Sequence, residues 1–123
     1  MDVYTIYADH TEDTTAHEFV RKMSKFLDHM VELGRMEKYR ITRMKLGFRS
    51  MDLPEFRIDM EFKNMTQLDN AMSSVVSNEK NIESDHVGFN QLVNVETIQH
   101  FLYRDFPDNL TEHREALNDN KQN

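Results

Sequence analysis

Two runs of alternating apolar and charged residues, separated by a short loop, constrain the fold of this chain more than any other feature. They cover residues 40–49 and 55–62 and flank the loop 50–54. If the runs pair antiparallel so that opposing residue numbers sum to 104, one face is largely apolar and the other carries opposite charges. The first face pairs Thr42 with Phe62, Met44 with Met60, Leu46 with Ile58 and Phe48 with Phe56; the second pairs Arg43 with Glu61, Lys45 with Asp59 and Arg49 with Glu55. Since a one-residue slip would turn every side chain to the wrong face, the pattern predicts an antiparallel hairpin in this register.

The charge balance of the chain argues against two classes of partner. Its 15 basic and 22 acidic residues give a formal net charge of −7, and the cations are interspersed with anions. Nucleic acids and anionic membranes require a basic surface, so we expect the protein to bind neither. The 123 residues suffice for one domain with its own core, and none of them is cysteine. With no signal-like or membrane-spanning apolar segment, this composition predicts a cytoplasmic protein.

Further elements are predicted on both sides of the hairpin. They are a strand over residues 3–8, a helix over 15–34, a second helix from residue 66, a short third helix over about 85–94 and a strand over 97–103. Thr15 and Glu18 have the spacing of a capping box, which satisfies free amides at a helix start. Gly34 supplies the residue type that most often ends a helix.

The order strand, helix, strand, strand, helix, strand predicts a ferredoxin-like α+β fold. This βαββαβ sandwich has a four-stranded antiparallel sheet with helices on one face. We assign the domain to residues 1–108, with the short extra helix before the last strand, and interpret residues 109–123 as a polar C-terminal tail. The apolar face of the hairpin then faces the helices, and the charged face meets solvent or a second subunit. Five of the nine methionines, namely Met23, Met30, Met44, Met60 and Met72, map to predicted core faces, where thioethers fill gaps or line an adaptable ligand pocket.

The chain resembles the dimeric α+β barrel superfamily in its element order and in the segment 102–108, Leu-Tyr-Arg-Asp-Phe-Pro-Asp. That segment and residues 39–46, Tyr-Arg-Ile-Thr-Arg-Met-Lys-Leu, are similar to a small uncharacterised bacterial family within the superfamily. The superfamily includes cofactor-independent monooxygenases, haem-degrading enzymes, small-molecule isomerases and regulatory ligand-binding domains. The resemblance implies a homodimer that packs sheet to sheet, with ligand pockets between each sheet and its helices. It supplies no catalytic motif.

Three residues are candidate ligand contacts. His100 lies mid-strand and shares a face with Ile98, whereas Tyr103 lies on the other face. Both are candidate catalytic residues, although a lone strand histidine more often has a structural role. Arg57 faces Gly47 in the predicted register and so lacks an opposite charge, which leaves its guanidinium for a ligand carboxylate, for a diagonal ion pair or for solvent.

The sequence predicts no cofactor, because it contains no phosphate-binding loop, nucleophile elbow or haem-attachment motif. A metal site is an alternative at Asp9, His10, Glu12 and Asp13, which place three carboxylates and an imidazole in one turn. Acidic turns ahead of helices are also common for electrostatic reasons, so no metal is assigned.

Two functional hypotheses remain open. The first is a protein that binds a small organic molecule, or a cofactor-independent enzyme of the dimeric α+β barrel type. The alternative is a non-catalytic dimerisation or regulatory module with no pocket chemistry. An enclosed pocket of about 300 Å³ or more with converging polar groups favours the first hypothesis, and a filled core with no cavity favours the second.

Overall fold

The computed structural model of the chain describes residues 1–77, 86, 88 and 90–107. Its elements are β1 (Asp2–His10), α1 (Ala16–Glu32), β2 (Lys38–Arg43), β3 (Phe56–Phe62), α2 (Met65–Val76) and β4 (Val93–Arg104). The strands form one sheet in the order β2-β3-β1-β4, and every neighbouring pair is antiparallel. This confirms the predicted ferredoxin-like α+β fold. None of the helices in the described part of the chain combines the length and the hydropathy that a membrane span requires.

The prediction of a third helix can be compared with the structure at only some of its residues, and the prediction of a tail cannot be compared at all. Residues 86, 88 and 90 have helical backbone, but β4 already begins at Val93, so a helix reaching residue 94 was wrong. The other residues between 78 and 89, and the predicted tail 109–123, lie outside the described residues. The boundary placed at residue 108 does as well.

Helix α1 begins and ends as its sequence predicts. The Thr15 hydroxyl accepts a hydrogen bond from the Glu18 amide at 3.2 Å, which is one half of the capping box. The Glu18 carboxylate does not form the other half, because it pairs with Arg21 at 2.7 Å. At the other end Gly34 has φ +71°, and its amide donates to the Val31 carbonyl at 3.0 Å. The Arg35 amide donates to the carbonyl of Met30 at 2.9 Å, which completes a Schellman motif.

The core lies between the two helices and one face of the sheet, which we call the helix face. Its buried apolar side chains are Ala8, Phe19, Met23, Leu27, Met30, Met36, Phe56, Ile58, Met60, Phe62, Leu68, Ala71 and Val93. The four inward residues of β3 alternate with exposed or half-buried charged ones, as predicted for that strand. We call the other side of the sheet the open face, because neither helix covers it.

The predicted register of the hairpin was wrong. Strand β2 begins two residues earlier and ends at Arg43, and opposing residue numbers sum to 99, with Lys38 opposite Glu61 and Tyr39 opposite Met60. Opposite charges still face each other across the open face, because the Lys38 amine lies 3.6 Å from the Glu61 carboxylate. Tyr39 and Ile41, rather than the methionine and leucine that follow them, supply the inward side chains of β2.

A tight turn explains why β2 stops early. Leu46 and Gly47 both have positive φ, +55° and +70°, and the Phe48 amide donates to the Lys45 carbonyl at 3.1 Å. Positive φ at both central residues is characteristic of a type I′ turn, which the extended predicted strand does not allow. Leu46 and Phe48, expected in the core, are therefore 82% and 84% exposed.

The methionines follow the same correction. Met23, Met30 and Met60 are buried as predicted, and Met36, which was not assigned, is buried too. The predictions for the other two were wrong, since Met44 follows the end of β2 and is half-buried and Met72 is 45% exposed.

Candidate functional site

A partly enclosed cavity of ≈ 360 Å³ lies between the helix face of the sheet and the helices. Its walls come from all of the strands except β2 and from both helices. The lining residues are Tyr4, Ile6, Met23, Phe26, Leu27, Met30, Met36, Ile58, Met60, Phe62, Ala71, Met72, Val75, Val76, His86, Asn90, Ile98 and His100. Most of this lining is apolar, so the cavity is a pocket for a largely apolar molecule.

Two small side chains of α2 face the core beside the cavity. They are Ala71 and Ser74, and both are buried. The Ser74 hydroxyl accepts from Arg35 at 2.8 Å and donates to the Asn70 carbonyl at 2.8 Å. Ala71 also lines the cavity, where its methyl group leaves space that a larger side chain would fill.

One hydrogen-bonded pair lies in the lining of the cavity and joins the half-buried Tyr4 to His100, which is exposed. The Tyr4 hydroxyl lies 2.5 Å from Nδ1 of His100, and the two ring centroids are 5.8 Å apart. Strands β1 and β4 create this pair, because Tyr4 lies opposite Leu102 and Ile6 lies opposite His100, which places both rings on the helix face. Burial raises the pKa of Tyr4, so its phenol stays protonated at neutral pH.

The pair can hold its protons in two ways. With the phenol donating to Nδ1, the Nε2 nitrogen of neutral His100 carries the remaining proton and is a donor. With Nδ1–H donating to the phenol oxygen, Nε2 has a lone pair and is an acceptor or base. An imidazole held at one nitrogen by a tyrosine can therefore give a proton to an oxygen of a bound molecule or take one from it.

A second polar pair lines the same cavity. The amide nitrogen of Asn90 lies 3.2 Å from Nε2 of His86, and the His86 ring packs 5.1 Å from the ring of Phe26. These two residues precede β4 and lie beside α1. They give the cavity a second group that can bind a polar atom.

Two of the three sequence-predicted candidates lie outside the cavity. Tyr103 is opposite Val3 on the open face and is 56% exposed. Arg57 also lies on the open face, where it is opposite Thr42 rather than Gly47, so the premise for its unpaired charge was wrong. Its Nε lies 3.0 Å from the Asp59 carboxylate, and its guanidinium lies over the ring of Tyr7.

The acidic turn does not assemble a metal site. The Asp9 carboxylate accepts from the Glu55 amide at 2.8 Å, and Nδ1 of His10 donates to the Thr11 carbonyl at 2.7 Å. Among the residues that the structure describes, no three histidines or carboxylates converge in a metal-binding arrangement.

The open face is divided into an aromatic half and a charged half. On β1 and β4 it presents Val3, Tyr7, Phe101 and Tyr103, and on β2 and β3 it presents Lys38, Arg40, Arg57, Asp59 and Glu61. Tyr7 meets Phe101 edge to face at 5.9 Å. The buried Thr5 of β1 donates to the Asp59 carboxylate of β3 at 2.5 Å, and this hydrogen bond links the aromatic half to the charged half.

Sequence reasoning did not identify Tyr4 or His86 as site residues. Tyr4 belongs to a run that predicts only a strand, and His86 lies in the segment predicted only as a short third helix. The one available signal was the alternation of β1, which puts Tyr4 on the same face as Ile6 and Ala8. The contact between Tyr4 and His100 depends on the pairing of β1 with β4, which are separated by almost the whole chain, and no local sequence pattern reveals that pairing.

Comparison with known proteins places the chain in one sequence family and finds solved structures with the same fold. Residues 1–118 match a family described as a family of unknown function, DUF6614. No curated protein sequence matches the chain.

Three solved structures share the fold at low sequence identity. At3g17210 from Arabidopsis thaliana has a TM-score of 0.68 and 7% identity, with 88% of this chain and 98% of that chain covered. A dimeric ferredoxin-like protein of unknown function from Jannaschia sp. CCS1 has a TM-score of 0.62 and 10% identity over 85% and 98% of the two chains. SnoaB, a cofactor-independent oxygenase from Streptomyces nogalater, has a TM-score of 0.58 and 11% identity over 87% and 96%.

Proposed function

Because this chain belongs to the family of unknown function DUF6614, its activity has to be inferred from its own residues, and we propose that it binds a small, largely apolar organic molecule in the cavity between sheet and helices. His100, oriented by Tyr4, contacts a polar atom of that molecule. The cavity is the observation that carries this proposal. Its ≈ 360 Å³ lie in the size range of small-molecule sites, and it has a hydrogen-bonded pair among apolar walls.

The composition of the walls supports a ligand rather than a packing defect. Five of the lining residues are methionines, namely Met23, Met30, Met36, Met60 and Met72. Unbranched thioethers adapt their shape to an occupant and make favourable contacts with aromatic rings. A module that only dimerises has no use for a half-open cavity with an acid–base pair, so these walls favour binding over the alternative hypothesis.

Proton transfer is the chemistry that the pair makes available. Nε2 of His100 donates or accepts according to the tautomer that Tyr4 selects, and no charged residue among the described lining residues competes for the ligand. Transfer of a proton to or from an oxygen or an adjacent carbon of the ligand is the step that this pair supplies without a cofactor. The oxygenase SnoaB shares the fold and works without a cofactor, which is compatible with such chemistry here.

We further propose that the protein is a homodimer that packs through the open face. Phe101 is 38% exposed and Tyr103 56%, side by side on a sheet face that neither helix covers. An aromatic patch rimmed by charge has the composition of a protein–protein contact. The Jannaschia protein, which shares the fold, is a dimer.

Fluorescence of the neutral dye N-phenyl-1-naphthylamine tests the ligand site. We expect the purified protein to enhance its emission with saturation at one dye per chain. The variant Val75→Phe places a ring in the cavity and should abolish the enhancement, because Val75 lines the space. The matched control Val95→Phe changes an exposed β4 residue outside the lining and should leave the enhancement intact.

Circular dichroism melting of both variants establishes that each is folded. Dye binding that survives in a folded Val75→Phe protein would place the dye elsewhere and contradict the proposal. The absence of any enhancement with the unmodified protein would contradict it as well.

A further inference from the structure

We infer that the cavity selects molecules that bear no formal charge and that present one hydroxyl or carbonyl oxygen to Nε2 of His100. This inference rests on the proposed function and specifies the chemical class of its ligand. It follows from two features of the lining, its charge and its hydrogen-bonding capacity.

The lining residues that the structure describes include no lysine, arginine, aspartate or glutamate. Four of them are polar, namely Tyr4, His86, Asn90 and His100, and all four are uncharged when the imidazoles are neutral. A carboxylate or an ammonium group inside would lose its hydration without gaining an opposite charge. The part of the walls that the described residues form therefore discriminates against ions of either sign.

The cations of the sheet do not alter this account, because those on the open face point away from the cavity and the two on the helix face, Arg43 and Arg104, lie outside its lining. Arg57 is on the open face with its Nε 3.0 Å from Asp59, and Lys38 lies 3.6 Å from Glu61 on the same face. Arg35, between α1 and β2, donates to Ser74 at 2.8 Å. The anion-binding role that the sequence suggested for Arg57 thus does not extend to this cavity.

His100 would neutralise the charge of an anion only as an imidazolium. In that state both ring nitrogens donate, so Nδ1 must be turned from an acceptor of the Tyr4 hydroxyl into a donor to its oxygen. In its neutral form His100 offers one hydrogen bond and no charge, and the described lining supplies no other cation to an anionic ligand.

The neutral pair accepts either direction of hydrogen bond. When Tyr4 donates to Nδ1, Nε2–H binds a carbonyl oxygen, and in the other tautomer Nε2 accepts from a hydroxyl. The exchange moves the imidazole proton from Nε2 to Nδ1, with solvent as the carrier, and turns the phenol hydrogen away from the ring. The site consequently selects uncharged ligands, and it accepts a ligand oxygen that either donates or accepts a hydrogen bond.

A series of naphthalenes with one changed substituent tests this selectivity. The compounds are 2-naphthol, 2-acetylnaphthalene, naphthalene, 2-naphthoate and 2-naphthylmethylammonium, each used to displace N-phenyl-1-naphthylamine at pH 7. We expect 2-naphthol and 2-acetylnaphthalene to bind about tenfold more tightly than either ion, the ratio that a modest difference in polar interactions produces. Naphthalene should bind more weakly than 2-naphthol.

The variant His100→Phe separates the hydrogen bond from the apolar walls. It should bring the affinity ratio of 2-naphthol to naphthalene close to one, whereas Tyr103→Phe, on the open face, should preserve the ratio. Equal or tighter binding of 2-naphthoate than of 2-naphthol would show that the site accommodates an anion and would overturn the inference. A dye that binds but that no member of the series displaces would overturn it too, whereas failure of the dye itself to bind would refute the proposed function.

Discussion

Tyr4 and His100 acquire a shared chemistry only through the sheet. They are 96 residues apart in the sequence, and their hydrogen bond exists because β1 and β4 are neighbours. Strand alternation correctly placed His100 on one face with Ile98 and placed Tyr103 on the other. Alternation within a strand does not state which residue of another strand will lie alongside, so the tyrosine partner could not be predicted.

Among the residues that the structure describes, Leu46 is the one non-glycine residue with a positive φ. Its φ of +55° lies in the left-handed region, where a leucine Cβ is crowded by the following carbonyl, and its side chain is 82% exposed. Packing therefore does not compensate for the strain. Asn-Gly is the preferred pair for a type I′ turn.

We expect Leu46→Asn to raise the free energy of unfolding by about 1 kcal/mol, because asparagine tolerates positive φ. Urea denaturation followed by circular dichroism measures the change. The matched control is Phe48→Asn, which removes an equally exposed apolar side chain outside the two central turn positions and should have an effect near zero. Equal stabilisation by both variants would attribute the gain to lost apolar exposure rather than to the backbone.

At the scale of elements, the charged and apolar alternation predicted a hairpin but not its pairing. Either register leaves β3 with Phe56, Ile58 and Met60 inward. The choice between them depended on the β2 partner, where Tyr39 and Ile41 compete with Met44 and Leu46 as inward residues. The turn at Leu46 and Gly47 settles the competition in favour of the shorter strand. Leucine rarely adopts a positive φ, so the turn could not be predicted from the residue type at position 46.

The helices were more predictable because their signals are local. For α1 the hydroxyl of Thr15 and the glycine at position 34 lie where the ends are found, with a buried stripe between them. For α2 the first residue was predicted within one position, but Met72 and Val76 proved exposed. Helical periodicity shows which residues share a face, whereas what covers that face depends on tertiary packing.

Charge reversal across β2 and β3 tests the observed register. Lys38→Glu places two carboxylates opposite each other and should lower the free energy of unfolding by a few tenths to about 1 kcal/mol. Adding Glu61→Lys to that variant restores opposite charges and should recover most of the loss. The cycle is measured by urea denaturation of both single variants and the double variant.

The control cycle uses Arg43→Glu with Glu61→Lys. In the structure Arg43 pairs with Glu55 at 2.9 Å, so Glu61→Lys should not rescue its reversal. A recovery in the Arg43 cycle and none in the Lys38 cycle would support the register in which residue numbers sum to 104 and contradict the one described here.

At the scale of the whole molecule, the sheet separates two proposed roles. Its helix face borders the cavity, and its open face carries the aromatic patch proposed for the dimer. Phe101→Glu places a charge in the centre of that patch and should convert the dimer to a monomer, because an unpaired buried carboxylate is costly. Size-exclusion chromatography with light scattering measures the mass.

Leu102→Glu is the matched control for dimerisation. This residue is the next one on β4, is 53% exposed and lies on the helix face opposite Tyr4. The same substitution there should leave the dimer intact while circular dichroism shows both variants folded. A monomeric wild-type chain, or a dimer that persists in Phe101→Glu, would contradict the proposed contact.

Successive residues of β4 serve different faces, and this has a thermodynamic consequence. His100 borders the cavity and Phe101 the open face, so a shift of this edge strand to accommodate a ligand also moves the aromatic patch. If dimers bind ligand more tightly than monomers do, then the ligand strengthens association of the protomers by the same factor, because such coupling is reciprocal. Protein concentration would then act as an effector of ligand affinity, and the amount of this protein in a cell would set its sensitivity to the molecule that it binds.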